Sequence, residues 1–230
     1  MAATQGNCFI CGKTAGKTAI KNHIIKDHSD GGEECYLIKA EGVYDKDYWI
    51  FFSISLDASL SALDKFLRQI WCECCGHMSA FRRGGAEFGK SRKISALSVG
   101  DTLLYEYDFG STTEIVITVV DRISRQSQRE KVQLLARNVP LEMRCEKCSA
   151  PAEFINAWEN EILCSECSKD AEDECALLPI VNSPRCGECG YDGEQDKWTF
   201  DPNAVNQSEA SRTANNRARN YIWVPTDKDD

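Results

Sequence analysis

The sequence predicts an α+β fold: a small antiparallel sheet domain with one main helix, flanked by two small cysteine-rich units. Three observations predict it. β-Branched and aromatic runs recur through residues 34–140, with a single helical stripe of apolar residues among them. A Cys pair followed by two histidines opens the chain, and closely spaced Cys pairs crowd residues 141–194.

The sheet domain takes its elements in order. Tyr36 to Ala40 and Tyr48 to Leu56 are rich in the residue types that suit a pleated surface, and read as strands. Ser59 is placed to cap a helix in which Leu60, Leu63, Phe66, Leu67 and Ile70 share one face. Gly76 supplies a helix C-cap. Ala96 to Asp101 forms a turn into a strand from Leu103 to Phe109. Glu114 to Ile123 and Lys131 to Arg137 then complete an expected antiparallel meander. Cys35 is expected to be a buried strand residue, and Cys72 and Cys75 to be partly buried at the helix end.

Composition bounds the function classes. Hydrophobic residues make up 42% and charged residues 27% of the 230, which is ordinary for a globular chain. No run approaches the roughly 18 apolar residues of a membrane span, and the N-terminal residues lack the basic and apolar regions of a secretory signal. The expectation is a cytoplasmic protein without membrane contact. A net charge of −9 argues against a general nucleic-acid coat, which needs concentrated positive charge. Thirteen cysteines in such a compartment point to metal or thiol chemistry rather than disulfides.

Residues 1–33 form the first unit. Cys8 and Cys11 flank two residues, and eleven more lead to His23, with His28 after four others. Two thiolates on a tight turn and two imidazoles one helical turn apart provide the tetrahedral N/S donors that zinc requires, so this is read as a zinc finger. The chain has only three histidines, and two fall at this spacing. Its spacer is one residue shorter than the usual twelve or so. Ile20 stands where such fingers place a packing leucine, but Ala15 leaves the miniature core thin. Gly16-Lys17-Thr18 superficially resembles the end of a phosphate loop, but the required upstream glycine is Cys11, and the motif is rejected.

Residues 141–194 carry seven cysteines. Cys145-x2-Cys148 and Cys164-x2-Cys167, fifteen residues apart, have zinc-ribbon spacing, with Glu153 to Ile155 and Glu161 to Leu163 as the ribbon strands. A unit this small cannot bury enough surface to fold alone, and metal supplies the deficit. A third pair, Cys186-x2-Cys189, is flanked by Gly187 and Gly190. It competes with Cys145/Cys148 as partner of Cys164/Cys167, joins Cys175 in a separate site, or is a pair of free thiols; the spacing leaves these open. Two zinc ions are expected, and a third ion would engage Cys186/Cys189 or the central run Cys72, Cys74, Cys75 and His77. Residues 195–230 read as a polar tail with an apolar anchor at Tyr221 to Pro225.

Tyr105-Glu106-Tyr107-Asp108-Phe109-Gly110 resembles the Y-x-Y-D-F-G signature of the plasmid pRiA ORF-three-like family. The run Gly76 to Phe81 is similar to that family's H-L-x-x-F segment, and Leu178 to Arg185 to a stretch that follows zinc ribbons in some members. The resemblance covers about residues 45–138, with a looser echo to residue 193. It implies an α+β domain and no settled activity. Members commonly continue with Asp, Trp and His where this chain has Ser111, Thr113 and Ile115, so no site is carried over.

No catalytic set emerges. His77 is the single histidine outside the finger, no nucleotide loop follows a strand, and Asp108 beside Gly110 reads as a turn former. The expected function is that of a zinc-binding adaptor or regulator with a protein partner. Nucleic acid is the favoured specific partner class, on the strength of Lys13, Lys17, Lys21 and Lys26 and of Arg212, Arg217 and Arg219. The alternative is an enzyme with a thiol or metal centre at Cys72, Cys74, Cys75 and His77.

Overall fold

The computed structural model describes residues 4–29, 31–125, 130–171 and 174–202. The tail anchor Tyr221 to Pro225 and the three tail arginines lie outside these residues. The fold is α+β and mostly antiparallel sheet. The strands are β1 (Gln5–Cys8), β2 (Thr14–Gly16), β3 (Glu33–Gly42), β4 (Trp49–Ser55), β5 (Ser79–Arg83), β6 (Ala86–Glu87), β7 (Thr102–Tyr107), β8 (Thr113–Arg125) and β9 (Val132–Asn138). They form one sheet in the order β2-β1-β9-β4-β3-β8-β7-β5-β6. Two helices accompany it, α1 (Lys17–Asp27) and α2 (Leu60–Leu67).

The expected strands and the main helix are present, but the meander is not. β8 pairs with β7 and β3, whereas β9 pairs with β4 and β1. The β3–β4 hairpin is inserted between β8 and β9. Its residues are apolar on both faces, with six of the seven residues of β4 buried. Such a strand belongs at the centre of a sheet covered on both sides.

The alternation of side chains explains that double cover. Tyr36, Ile38 and Ala40 of β3 join Leu103, Tyr105, Tyr107 and Ile117 in the larger core, against Leu60, Leu63 and Leu67 of α2. Cys35 and Leu37 point the other way, to Trp49, Phe51, Leu135 and the finger residues Ile10, Ile20 and Ile24. The thin finger core is thus completed by the second face of the sheet. Gly6 permits the contact, since a Cβ there would strike the Trp49 ring and come within 2.5 Å of the Arg137 carbonyl.

Ser59 accepts from the Ala62 N–H at 3.4 Å and caps α2. The helix continues as one π-type turn, Arg68–Cys72, and ends on extended Glu73. Gly76, at φ 80°, is therefore not the helix cap: it shapes the turn four residues after the helix has ended. The carboxylate of Asp64 joins α2 to the sheet by accepting from Ser79 Oγ at 2.6 Å and Tyr105 Oη at 2.9 Å, with Lys90 Nζ at 2.9 Å.

Beyond the sheet, β10 (Phe154–Asn156) lies between β11 (Glu161–Leu163) and β12 (Leu177–Pro179). The ribbon is three-stranded rather than two-stranded, because the apolar Leu177-Leu178-Pro179 run returns to the free edge of β10. The chain then crosses the main domain. Ser183 Oγ donates to the Trp71 carbonyl at 2.7 Å, Tyr191 is buried, and Trp198 packs edge-on against Phe66.

Candidate metal centres

In the finger, the Cys8 N–H donates to the Lys13 carbonyl at 2.9 Å and the Gly12 N–H to the Cys8 carbonyl at 2.8 Å. This curls the chain around the two sulfurs. α1 then presents His23, and His28 follows at its C-cap. The donor atoms of Cys8, Cys11, His23 and His28 all lie within 4.8 Å of one another. His23 Nε2 is 3.1 Å from Cys11 Sγ and 3.0 Å from His28 Nε2. Its other ring nitrogen, Nδ1, is 2.7 Å from the Asp27 carboxylate, which fixes the tautomer with the Nε2 lone pair facing the cluster. Burial pushes the Cys8 thiol up to about 11, so a cation bound here would displace a proton.

In the ribbon, Cys145, Cys148, Cys164 and Cys167 meet the same criterion. The Cys145 N–H bonds the Ala150 carbonyl and the Ser149 N–H the Cys145 carbonyl, both at 2.8 Å, with Ser149 at φ 62°. A matching turn gives Cys167 N–H to Cys164 Sγ at 3.5 Å. Burial opposes ionisation of Cys145, but N–H groups of Cys164, Cys148 and Lys147 outweigh it and bring the thiol down to about 6. Cys148 and Cys164 sulfurs are 3.6 Å apart. That is far beyond the ~2.05 Å of a disulfide. It matches the ~3.8 Å edge of a tetrahedron with ~2.3 Å zinc–sulfur bonds. The local core is three buried residues, Cys145, Leu163 and Cys164, two of them donors.

The eight expected ligands thus assemble as two groups of four. Cys35 is buried in β3 as expected, whereas Cys186 and Cys189 follow none of the three alternatives their spacing left open. Cys186 is partly buried with its sulfur 3.2 Å from the Val181 N–H, and it belongs to no donor group among the described residues, nor does Cys175. Cys189 instead meets Cys74, Cys75 and His77 in a third group within 4.8 Å. Cys72 is not part of it. Its side chain is fully buried in the main core, where burial raises the thiol far above its ordinary value. Cys75, expected to be partly buried, is exposed. The helix ends at Cys72, whose side chain is the last on its buried face, and Cys75 lies on the non-helical chain beyond extended Glu73, where helical periodicity no longer turns it inward.

Asp108 sits beside this group in the left-handed region, at φ 63°. Its backbone turns the chain, so Tyr105 and Tyr107 are fully buried while Phe109, two residues further on, is half-exposed and falls outside the strand expected to reach it. One carboxylate oxygen accepts from the Gly110 N–H at 2.9 Å and faces His77 Nδ1 at 3.4 Å; the other is 2.8 Å from Arg185 Nη2. Burial opposes the charge of Asp108, but the Arg185 hydrogen bond and the Gly110 N–H outweigh it and hold the carboxyl below its ordinary value. Arg185 is itself fully buried, donates to the Ser111 carbonyl at 3.0 Å and Thr113 Oγ1 at 2.9 Å, and lies 4.9 Å above the Tyr107 ring. Sequence reasoning missed Arg185; an arginine between Pro184 and Cys186 carries no local signal of a partner 77 residues earlier.

Three Cys/His groups therefore have geometry compatible with metal binding. Among the described residues no helix is long and apolar enough to cross a membrane. No protein-family model matches the chain, and no curated protein matches it either. Among solved structures it is similar to a protein of unknown function from Methanosarcina mazei Go1, at 17% identity and a TM-score of 0.41, over 46% of this chain and 70% of that one.

Proposed function

We propose that this chain is a zinc-binding adaptor or regulatory protein of the cytoplasm, with one ion in the finger and one in the ribbon. The observation that carries the reading is the convergence of Cys8, Cys11, His23 and His28, and of Cys145, Cys148, Cys164 and Cys167, into closed sets of four donors. Four protein ligands fill a tetrahedral sphere and leave no position for a reactive water, which is the pattern of structural rather than catalytic zinc. The central domain is proposed to be of the plasmid pRiA ORF-three-like type, on its Tyr105 to Gly110 signature.

A protein partner is the first expectation for the adaptor. Trp158 at the ribbon hairpin is 74% exposed, a large aromatic surface of the kind that anchors interfaces. Nucleic acid is the more specific proposal, and it rests on Lys13 and Lys26, both exposed on the finger. Lys17 contributes less, because it is 3.0 Å from Glu41 and its charge is matched there. The test is zinc content together with binding. Cys8→Ser and Cys145→Ser should each lower the zinc content by one ion per chain, and unchanged content in either would refute that site. Micromolar protein should shift mixed DNA or RNA with an affinity that falls steeply with salt. Absence of any salt-dependent shift removes the nucleic-acid proposal and leaves the protein partner.

A further inference from the structure

We propose that Cys74, Cys75, His77 and Cys189 form a third zinc site, which clasps the segment after the ribbon to the end of the main helix. The inference goes beyond the two-ion reading and stands or falls separately from it.

The donor geometry is that of the other two groups. Cys74 and Cys75 sulfurs are 3.7 Å apart, His77 Nε2 is 2.9 Å from Cys75 Sγ, and it is 3.2 Å from Cys189 Sγ. Three thiols and one imidazole are the soft, tetrahedral donor set that selects zinc over the harder divalent cations. Cys75 and Cys189 are exposed. Surface position alone therefore does not bring them to one point; side chains 112 residues apart converge on the same imidazole.

Two further features surround the donors. The first repeats the finger: as His23 is held through Nδ1 by Asp27, His77 faces Asp108 through Nδ1 and turns Nε2 to the sulfurs. A carboxylate behind a ligating histidine orients the ring and raises its basicity. The second is charge. Three thiolates exceed one Zn²⁺ by a single negative charge, and Asp108 adds another. Arg185 Nη2 lies 3.6 Å from Cys74 Sγ and 2.8 Å from Asp108, so a buried cation is placed against both.

The backbone is bent to suit. Cys189 adopts φ 48°, a left-handed conformation that costs a non-glycine residue free energy and persists where the surroundings impose it. Gly187 and Gly190 on either side are at φ 84° and 69°. Together they reverse the chain so that Cys189 returns to His77 while Cys186 stays under Val181. The Cys186-x2-Cys189 pair is thereby split: one thiol is a packing residue and the other a ligand. A four-donor sphere makes this a structural site, closing the loop from the helix end to residue 189.

The experiment is zinc analysis of the purified full-length chain with site-specific thiol labelling. The expected content is three ions per chain. Cys189→Ser and Cys75→Ser are each expected to reduce it to two, while Cys186→Ser retains three. Because a variant can lose zinc by unfolding, iodoacetamide labelling of the unaltered chain provides a second measurement. Cys75 and Cys189, though exposed, should be protected in the zinc-loaded chain and become reactive when a chelator is added. A content of two ions in the unaltered chain, three ions retained by Cys189→Ser, or equal labelling of Cys75 and Cys189 with and without chelator would each overturn the site. The finger and ribbon proposals survive those results, since their own Cys→Ser variants report on them.

Discussion

Replacing Arg185 with methionine keeps an unbranched apolar stem and removes the guanidinium that pairs with Asp108 at the end of β7. The arginine side chain has no solvent exposure and the aspartate side chain 7%. Removing one partner of such a buried pair leaves an uncompensated charge, which costs about 3–5 kcal/mol. Two neutral acceptors, the Ser111 carbonyl and Thr113 hydroxyl, also lose their donor, at roughly 1 kcal/mol each. The Gly110 N–H and His77 still face the carboxylate, so part of the penalty is relieved. A net destabilisation of about 3–5 kcal/mol follows for Arg185→Met at neutral pH. Urea unfolding at constant excess zinc measures it. In the Asp108→Asn background the same replacement should cost about 2 kcal/mol less, because the stranded charge is gone. A loss below about 1 kcal/mol, or strict additivity of the two substitutions, would refute a buried ion pair as the fastening of the 183–191 segment.

Two further substitutions probe how the units are joined. Gly6→Ala should lower thermal stability by about 2 kcal/mol, because the new methyl meets the Trp49 ring and the Arg137 carbonyl, and neither has room to retreat. Gly16→Ala, with open space around it, should cost under about 1 kcal/mol, and equal melting temperatures for the two variants would contradict the close packing of β1 on β9. Asp64→Asn should cost about 1–2 kcal/mol at pH 7 by removing the charge that faces Lys90 and Arg68. Burial opposes the charge of Asp64, but the Ser79 hydroxyl and Lys90 outweigh it and leave its pKa below the ordinary value. Its stabilisation is therefore fully present above the unfolded pKa, near 4, and is lost as the pH falls through the lower folded value. Stability curves of the two proteins should converge on acidification; a gap that widens instead would reverse the sign of the argument.

The elements that were legible in the sequence are those whose cause is local. The 3.6-residue stripe from Leu60 to Ile70 with Ser59 before it defined α2, and β-branched runs defined β3, β4, β7, β8 and β9 to within a few residues. Pairing was less legible. Nothing local distinguishes a meander from the order in which β9 crosses to β4, because the choice depends on which strand is apolar on both faces and must lie centrally. The same limit hid the support of the finger: Ala15 announces a poor miniature core, but only the folded sheet brings Trp49, Phe51 and Leu135 to Ile20 and Ile24.

The metal centres divide along that line. Cys8, Cys11, His23 and His28 lie within one hairpin and helix, so spacing pointed to that donor set. Cys145, Cys148, Cys164 and Cys167 lie on two turns joined by a short ribbon, and there spacing offered the set but left Cys186/Cys189 as a rival pair until the fold placed Cys189 elsewhere. The third set draws Cys74, Cys75 and His77 from the end of a helix and Cys189 from a chain segment that returns after the ribbon. Its members are brought together by Ser183 on the Trp71 carbonyl and Arg185 on Asp108, contacts that exist only once the core is packed. Sequence determines a ligand set when a few bonds of backbone hold the donors together; when loop closure over more than a hundred residues must do so, tertiary packing decides.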